Sequence, residues 1–126
     1  VHSSAGSEDG RIIGKAVGLL EDVDIAVRRA ALYFLARASG VQLSAAVAHL
    51  GDSKIGLLLR WLLCVPESDN AVSDVMKRLD SDDRLVRLVA VAAATRIADR
   101  NRLALGRAAA SGDDDISLFA SRELAR

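Results

Sequence analysis

Leu20-Glu21-Asp22-Val23-Asp24-Ile25-Ala26-Val27-Arg28 is the stretch whose reading decides the fold, because the chain repeats it. It returns as Leu50-Gly51-Asp52-Ser53-Lys54-Ile55-Gly56-Leu57-Leu58 and as Leu79-Asp80-Ser81-Asp82-Asp83-Arg84-Leu85-Val86-Arg87. A looser copy follows at Asp113-Asp114-Asp115-Ile116-Ser117-Leu118-Phe119. The spacing is about 30 residues, a period at which one supersecondary unit cannot bury its apolar face alone and must stack on its neighbours. The period therefore predicts an all-α, right-handed α-solenoid of four antiparallel helical hairpins, about eight helices in all. Such folds present surfaces to partners, so the repeat names an architecture before it names a reaction.

Composition agrees. A chain of 126 residues is one domain by size. Hydrophobic residues make up 51%, enough for a core, yet only 3% are aromatic and alanine is abundant, which favours closely approaching helices over a β-sandwich. The 17 basic and 17 acidic residues cancel, which removes any bulk attraction to nucleic acid or to an anionic membrane. Cys64, the single cysteine, reads as a small buried hydrophobe in a reducing compartment, hence a cytoplasmic protein. No apolar run reaches the length of a membrane span, since Arg60 divides the best candidate, and no signal peptide is recognisable. Both ends look cut, as in one domain of a longer protein.

Each repeat reads as two helices joined by an acidic turn. Residues 1–6 are expected to be a frayed tail and 7–126 a single repeat domain, with hairpins at about 7–39, 40–65, 66–99 and 100–126. Ser7 is the expected first N-cap, Ser39-Gly40 a helix stop and Pro66 a break. Val27, Ala30, Ala31, Phe34 and Ala38 form one stripe of the second helix, while Arg29, Tyr33 and Arg37, at i, i+4 and i+8, form the opposite one.

The Asp, then aliphatic, then arginine phrase resembles the HEAT-repeat family. Asp22, Val27 and Arg28 match it fully, and Val86-Arg87 keeps its second half with Ser81 in place of the Asp. Asp52 and Leu57 are followed by Leu58 where the arginine belongs, and Asp113 alone survives in the last copy. The resemblance implies a ladder between repeats that Arg28 and Arg87 continue and Leu58 interrupts. In physical terms, Asp22, Asp52, Ser81 and Asp113 stand where a helix N-cap is needed. The resemblance also reaches HEAT-like DNA glycosylases and bilin lyases. This chain is shorter than their usual extent and lacks their pocket carboxylates and aromatics, so no enzyme is read here.

Little else carries chemistry. His2 falls in the tail and His49 near a helix end, with no Cys or carboxylate spaced to complete a metal site. The acidic turns at Asp80, Asp82, Asp83 and at Asp113, Asp114, Asp115 lack the calcium-loop pattern, so no metal and no cofactor are expected. Gly14 and Gly18, four apart, fit a close helix approach. The helix Ile55–Val65 is apolar on every side but Arg60, so it is either buried all round or exposed to something that buries it. By register its concave strip is Leu59 and Leu63, beside Leu88. The expected function is thus a non-catalytic protein-interaction or scaffolding module that binds a partner helix or peptide on an apolar groove, Leu59, Leu63 and Leu88, rimmed by Arg29, Tyr33, Arg37 and Arg96. Two alternatives stand beside it: nucleic-acid binding through Arg29, Tyr33, Arg37 and Arg96, and self-association, with a homodimer possible through the same strip.

Overall fold

A computed structural model describes residues 2–126, with only the backbone described for 2–7 and Asp9. Ser7, expected as the first N-cap, lies inside α1, whose helical backbone already runs over residues 2–6 where a tail was expected, while the His2 side chain falls outside that description. The chain is all-α, and among the described residues it holds eight α-helices, one short 3-10 turn and no strand. The helices are α1 His2–Leu19, α2 Ile25–Ala36, α3 Gly40–Leu50, α4 Lys54–Cys64, α5 Ala71–Leu79, α6 Arg84–Arg96, α7 Leu103–Ala109 and α8 Asp114–Leu124. Consecutive helices pack in pairs, α1 on α2, α3 on α4, α5 on α6 and α7 on α8.

The period is sharper in the caps than in the sequence phrase. The even-numbered helices begin after Asp24, Ser53, Asp83 and Asp113, whose side chains accept from the backbone N–H groups of Ala26 (2.8 Å), Gly56 (3.0 Å), Leu85 (3.0 Å) and Asp115 (3.0 Å). Each cap satisfies an otherwise unpaired donor of the first turn. Of the four caps expected from sequence only Asp113 is one. Asp22 and Ser81 instead sit two residues earlier and accept from the N–H of Asp24 (2.9 Å) and of Asp83 (3.1 Å), as Ser111 does from Asp113 (3.1 Å). A short polar residue two places before the cap tightens the turn into which the cap is set. The second turn has Gly51 there, at φ +58, and Ser53 is its cap rather than Asp52. Gly56 is forced by that turn, because a Cβ on it would lie 2.2 Å from the Gly51 carbonyl oxygen. Ser39-Gly40, read as a stop, is a start: Ser39 and Gln42 form a reciprocal capping box that opens α3.

The central helix is α6, not α4. Leu88, Val89, Ala90, Val91, Ala92, Ala93 and Ala94 are all buried, and α2, α4, α5, α7 and α8 crowd round them. Small side chains permit that crowding, because close helix approach needs little radius at the contact. By contrast α4, the helix that reads as apolar on every side, leaves Leu57 49% exposed and Cys64 exposed as well, so the thiol is not the buried hydrophobe expected. Another close approach joins α1 to α3. There Gly10 is the residue that matters, since a Cβ would sit 3.0 Å from both the Ala45 oxygen and the His49 Cβ. Gly14 has ordinary room beside Leu50, and Gly18 faces open space.

Each pair meets the next one in sequence. α1 lies along α3, α5 along α7, and α4, α6 and α8 succeed one another. α2 departs from this order: besides its hairpin partner α1, it packs across the molecule on α6 and α8.

Candidate protein-interaction surface

The departure of α2 closes the groove expected from sequence. Leu59 and Leu88 are 0% and 1% exposed and Leu63 is packed against the same core, so the apolar strip belongs to the interior. Two contacts account for it: α2 lies over α6, which carries Leu88, and α4, which carries Leu59 and Leu63, packs on α3 and α6.

Its arginine file is occupied from within. Arg28 Nε donates to Asp115 Oδ2 at 2.8 Å and Arg29 Nε to Asp115 Oδ1 at 3.4 Å. Eight residues along α2, Arg37 Nη2 holds both oxygens of Glu123 at 2.8 and 3.0 Å. The partners are 86 residues away in both the Arg29 and Arg37 pairs, so α2 and α8 run in the same direction in register. The file Arg29-Tyr33-Arg37 therefore faces a second file at the same spacing, Asp115-Phe119-Glu123. Arg37 also stacks on Tyr33, its Cζ 3.9 Å from the ring centre, and Arg126 adds a bond to Glu123 Oε2 at 3.1 Å. Sequence reasoning missed this pair because Asp115 was read only as part of an acidic turn at a helix start and Glu123 was not singled out at all. The signal was present in their i, i+8 spacing on the apolar side of α8, where a carboxylate must be paired to be buried.

Asp115 and Glu123 are 6% and 8% exposed. Burial alone pushes the Asp115 carboxyl up, but the bonds and charges of Arg28, Arg84 and Arg29 outweigh it and hold the group below the ordinary carboxylate value. Asp113 behaves alike: burial raises it, and Arg84 with the first amides of α8 brings it down further. Arg96, the last of the expected rim residues, is turned inward. Its Nη1 donates to the carbonyls of Ala38 (2.6 Å) and Ala36 (3.5 Å), closing the C-terminal end of α2, and burial lowers its pKa.

Cations also connect neighbouring pairs, from positions the sequence did not mark. Lys54, first residue of α4, bonds Asp83, the cap of α6, and Arg84, first residue of α6, bonds Asp113, the cap of α8, at 2.7 Å. Arg87 stays with its own turn, donating to the Ser81 carbonyl (2.7 Å), while Arg28 donates both to its own turn at the Asp22 carbonyl (2.9 Å) and to Asp115. The arginine position of the second copy is held by Leu57, one place before the Leu58 expected from sequence, since caps at Asp24 and Ser53 align Leu57 with Arg28.

An apolar surface is open between the first two helices. α1 contributes Ile12, Ala16 and Leu19 and α2 contributes Val27, Ala30 and Phe34 to a cleft of about 380 Å³ whose only charged lining residue is Lys15. Ile12 is 48% and Phe34 37% exposed. Both stripes have helical spacing, i, i+4 and i+7 on α1 and i, i+3 and i+7 on α2, so the two helices form one apolar trough. Among the described residues, no group of three or more His, Cys, Asp or Glu is placed to hold a metal ion, and no single helix is long and apolar enough to cross a membrane.

The chain matches no family model, no curated protein and no solved structure.

Proposed function

We propose that this protein is a HEAT-like helical-repeat module of the solenoid kind, non-catalytic, whose work is to bind another protein. Caps spaced 29, 30 and 30 residues apart, at Asp24, Ser53, Asp83 and Asp113, support the repeat. The bridges from Lys54 to Asp83 and from Arg84 to Asp113 support stacking of the second, third and fourth pairs. The observation that carries the binding reading is the open α1–α2 trough, an apolar face of the kind that receives a helix. The binding face moves from the expected concave strip to this trough because Leu59 and Leu88 are core. The nucleic-acid alternative has less support, since Arg29, Arg37 and Arg96 already have acceptors inside the protein.

A photo-crosslinking amino acid tests the reading. Placed at Ala30, in the trough, it should give a discrete adduct in cells; placed at Val41, exposed on α3, it should give none. Equal labelling from both positions, or none from Ala30, would overturn the assignment of this face.

A further inference from the structure

The trough raises the question of what covers it, and the molecule itself answers by register. Counted from the caps, Val27, Ala30, Ala31 and Phe34 of α2 correspond to Val86, Val89, Ala90 and Ala93 of α6 and to Ile116, Phe119, Ala120 and Glu123 of α8. In α6 and α8 these positions lie in the core, apart from the half-buried Val86. In α4 the equivalents are Gly56 and Leu59, buried, Leu63, half-buried, and Arg60, exposed, whereas in α2 the four are apolar and line an open face, so that surface has the make-up of a helix-to-helix contact.

Two further observations select the occupant. The last pair exposes Asp114, Ser121 and Arg122, and its single large exposed apolar side chain is Leu103, so it offers no apolar trough to match that of the first pair. A head-to-tail contact between copies would press apolar on charged surface, whereas a two-fold contact sets the trough against itself and closes. The charges on the trough's rim fit that two-fold. Glu8, Ile12, Lys15 and Leu19 follow one ridge of α1, and among the described residues neither Glu8 nor Lys15 is in an ion pair. Glu8 and Lys15 lie on opposite sides of Ile12, about one turn from it. An antiparallel pairing of two α1 helices about Ile12 therefore brings Glu8 against the partner's Lys15, and Lys15 against the partner's Glu8, with Ile12 at the axis.

We infer that the α1–α2 trough is the interface of an isologous homodimer, closed by Ile12, Leu19, Val27 and Phe34 and registered by Glu8 and Lys15. The inference rests on the reading of this face as a protein-binding surface and names its occupant as a second copy of this chain.

Sedimentation velocity across a concentration series decides it. The wild-type protein should dimerise, and Ile12→Glu, which sets two carboxylates at the axis, should weaken association by about 100-fold or more while its circular dichroism is unchanged. Leu57→Glu, equally exposed but on α4, should have no effect on association. Glu8→Lys and Lys15→Glu should each weaken the dimer by about tenfold, and the two together should restore it to within about threefold of wild type. A wild-type chain that stays monomeric overturns the inference, and does so without touching a hetero-partner adduct captured from Ala30. A dimer that survives Ile12→Glu, or a charge exchange that does not restore association, also overturns it.

Discussion

Asp115→Asn is the perturbation that most directly tests how the last helix pair is held. The Asp115 carboxylate accepts from Arg28 Nε and Arg84 Nη2 at 2.8 Å each and from Arg29 Nε at 3.4 Å, on a side chain that is almost wholly buried. A hydrogen bond to a charged group contributes about 1.5–3 kcal/mol. Asparagine keeps one acceptor oxygen but presents an N–H₂ to the second guanidinium, and the arginines are partly solvated, so water recovers part of the loss. The net cost is roughly 2–3 kcal/mol. With an unfolding entropy of about 2.1 cal/mol/K per residue over 126 residues, Tm should fall by about 8–11 °C. Asp114→Asn, one residue earlier and exposed, gives up only its interaction with the helix dipole, about 0.3–1 kcal/mol, and Tm should fall by less than about 4 °C.

The same substitution carries a pH signature. The folded pKa of Asp115 is depressed below 3.8, so its contribution is present above the unfolded value and is lost as pH falls through the folded one. The Tm gap between wild type and Asp115→Asn should be constant from pH 7 to about pH 5 and narrow below about pH 4. Thermal melts followed by circular dichroism at pH 7, 5, 4 and 3 measure it. A fall in Tm under about 2 °C at pH 7, or a gap that does not narrow in acid, would refute the buried cluster as the clasp between α2, α6 and α8.

Two glycines should respond in opposite directions. Gly56→Ala sets a Cβ 2.2 Å from a backbone oxygen that no rotamer change can move, and should cost roughly 2–4 kcal/mol in urea unfolding. Gly106→Ala, in α7 with nothing within 4 Å of the new Cβ, should stabilise by about 0.5–1 kcal/mol, and a loss there would contradict the described helix. Leu59→Ala should cost about 2–5 kcal/mol because the side chain is fully enclosed. An unaltered midpoint would return Leu59 to the surface, one of the two places the sequence left open for it.

Helix number and type were legible because period and cap chemistry are local properties. Asp113 capped as read, and the helices α3 to α5 began and ended within a few residues of their expected places. The cap positions at Asp24 and Asp83 were misread by two residues because Asp22 and Ser81 are equally good acceptors, and only backbone geometry decides which oxygen meets the helix and which tightens the turn. Burial was harder. α4 has the longer aliphatic side chains, so hydrophobicity pointed to it, yet the most crowded position went to the alanine and valine of α6, whose small radius admits five neighbouring helices. Amphipathic pattern tells which face of a helix is buried; it does not tell how many helices bury it.

The site was misplaced for a related reason, and the ladder shows where. Lys54 and Arg84 open α4 and α6 and reach the caps of the next pairs, Asp83 and Asp113. The corresponding residues for the first step are Ile25, exposed, and Ser53, so that step has neither cation nor carboxylate. With no such bridge to α4, α2 finds its charge partners elsewhere, at Asp115 and Glu123 of α8. That choice lays α2 over α6 and neutralises the arginines that had suggested a polyanion site. It also turns the α1–α2 trough outward, away from every other helix of the chain. The missing rung thus falls at α2, the helix whose charge partners lie on α8, and a charged pair restored at Ile25 and Ser53 would compete with those α2–α8 bonds.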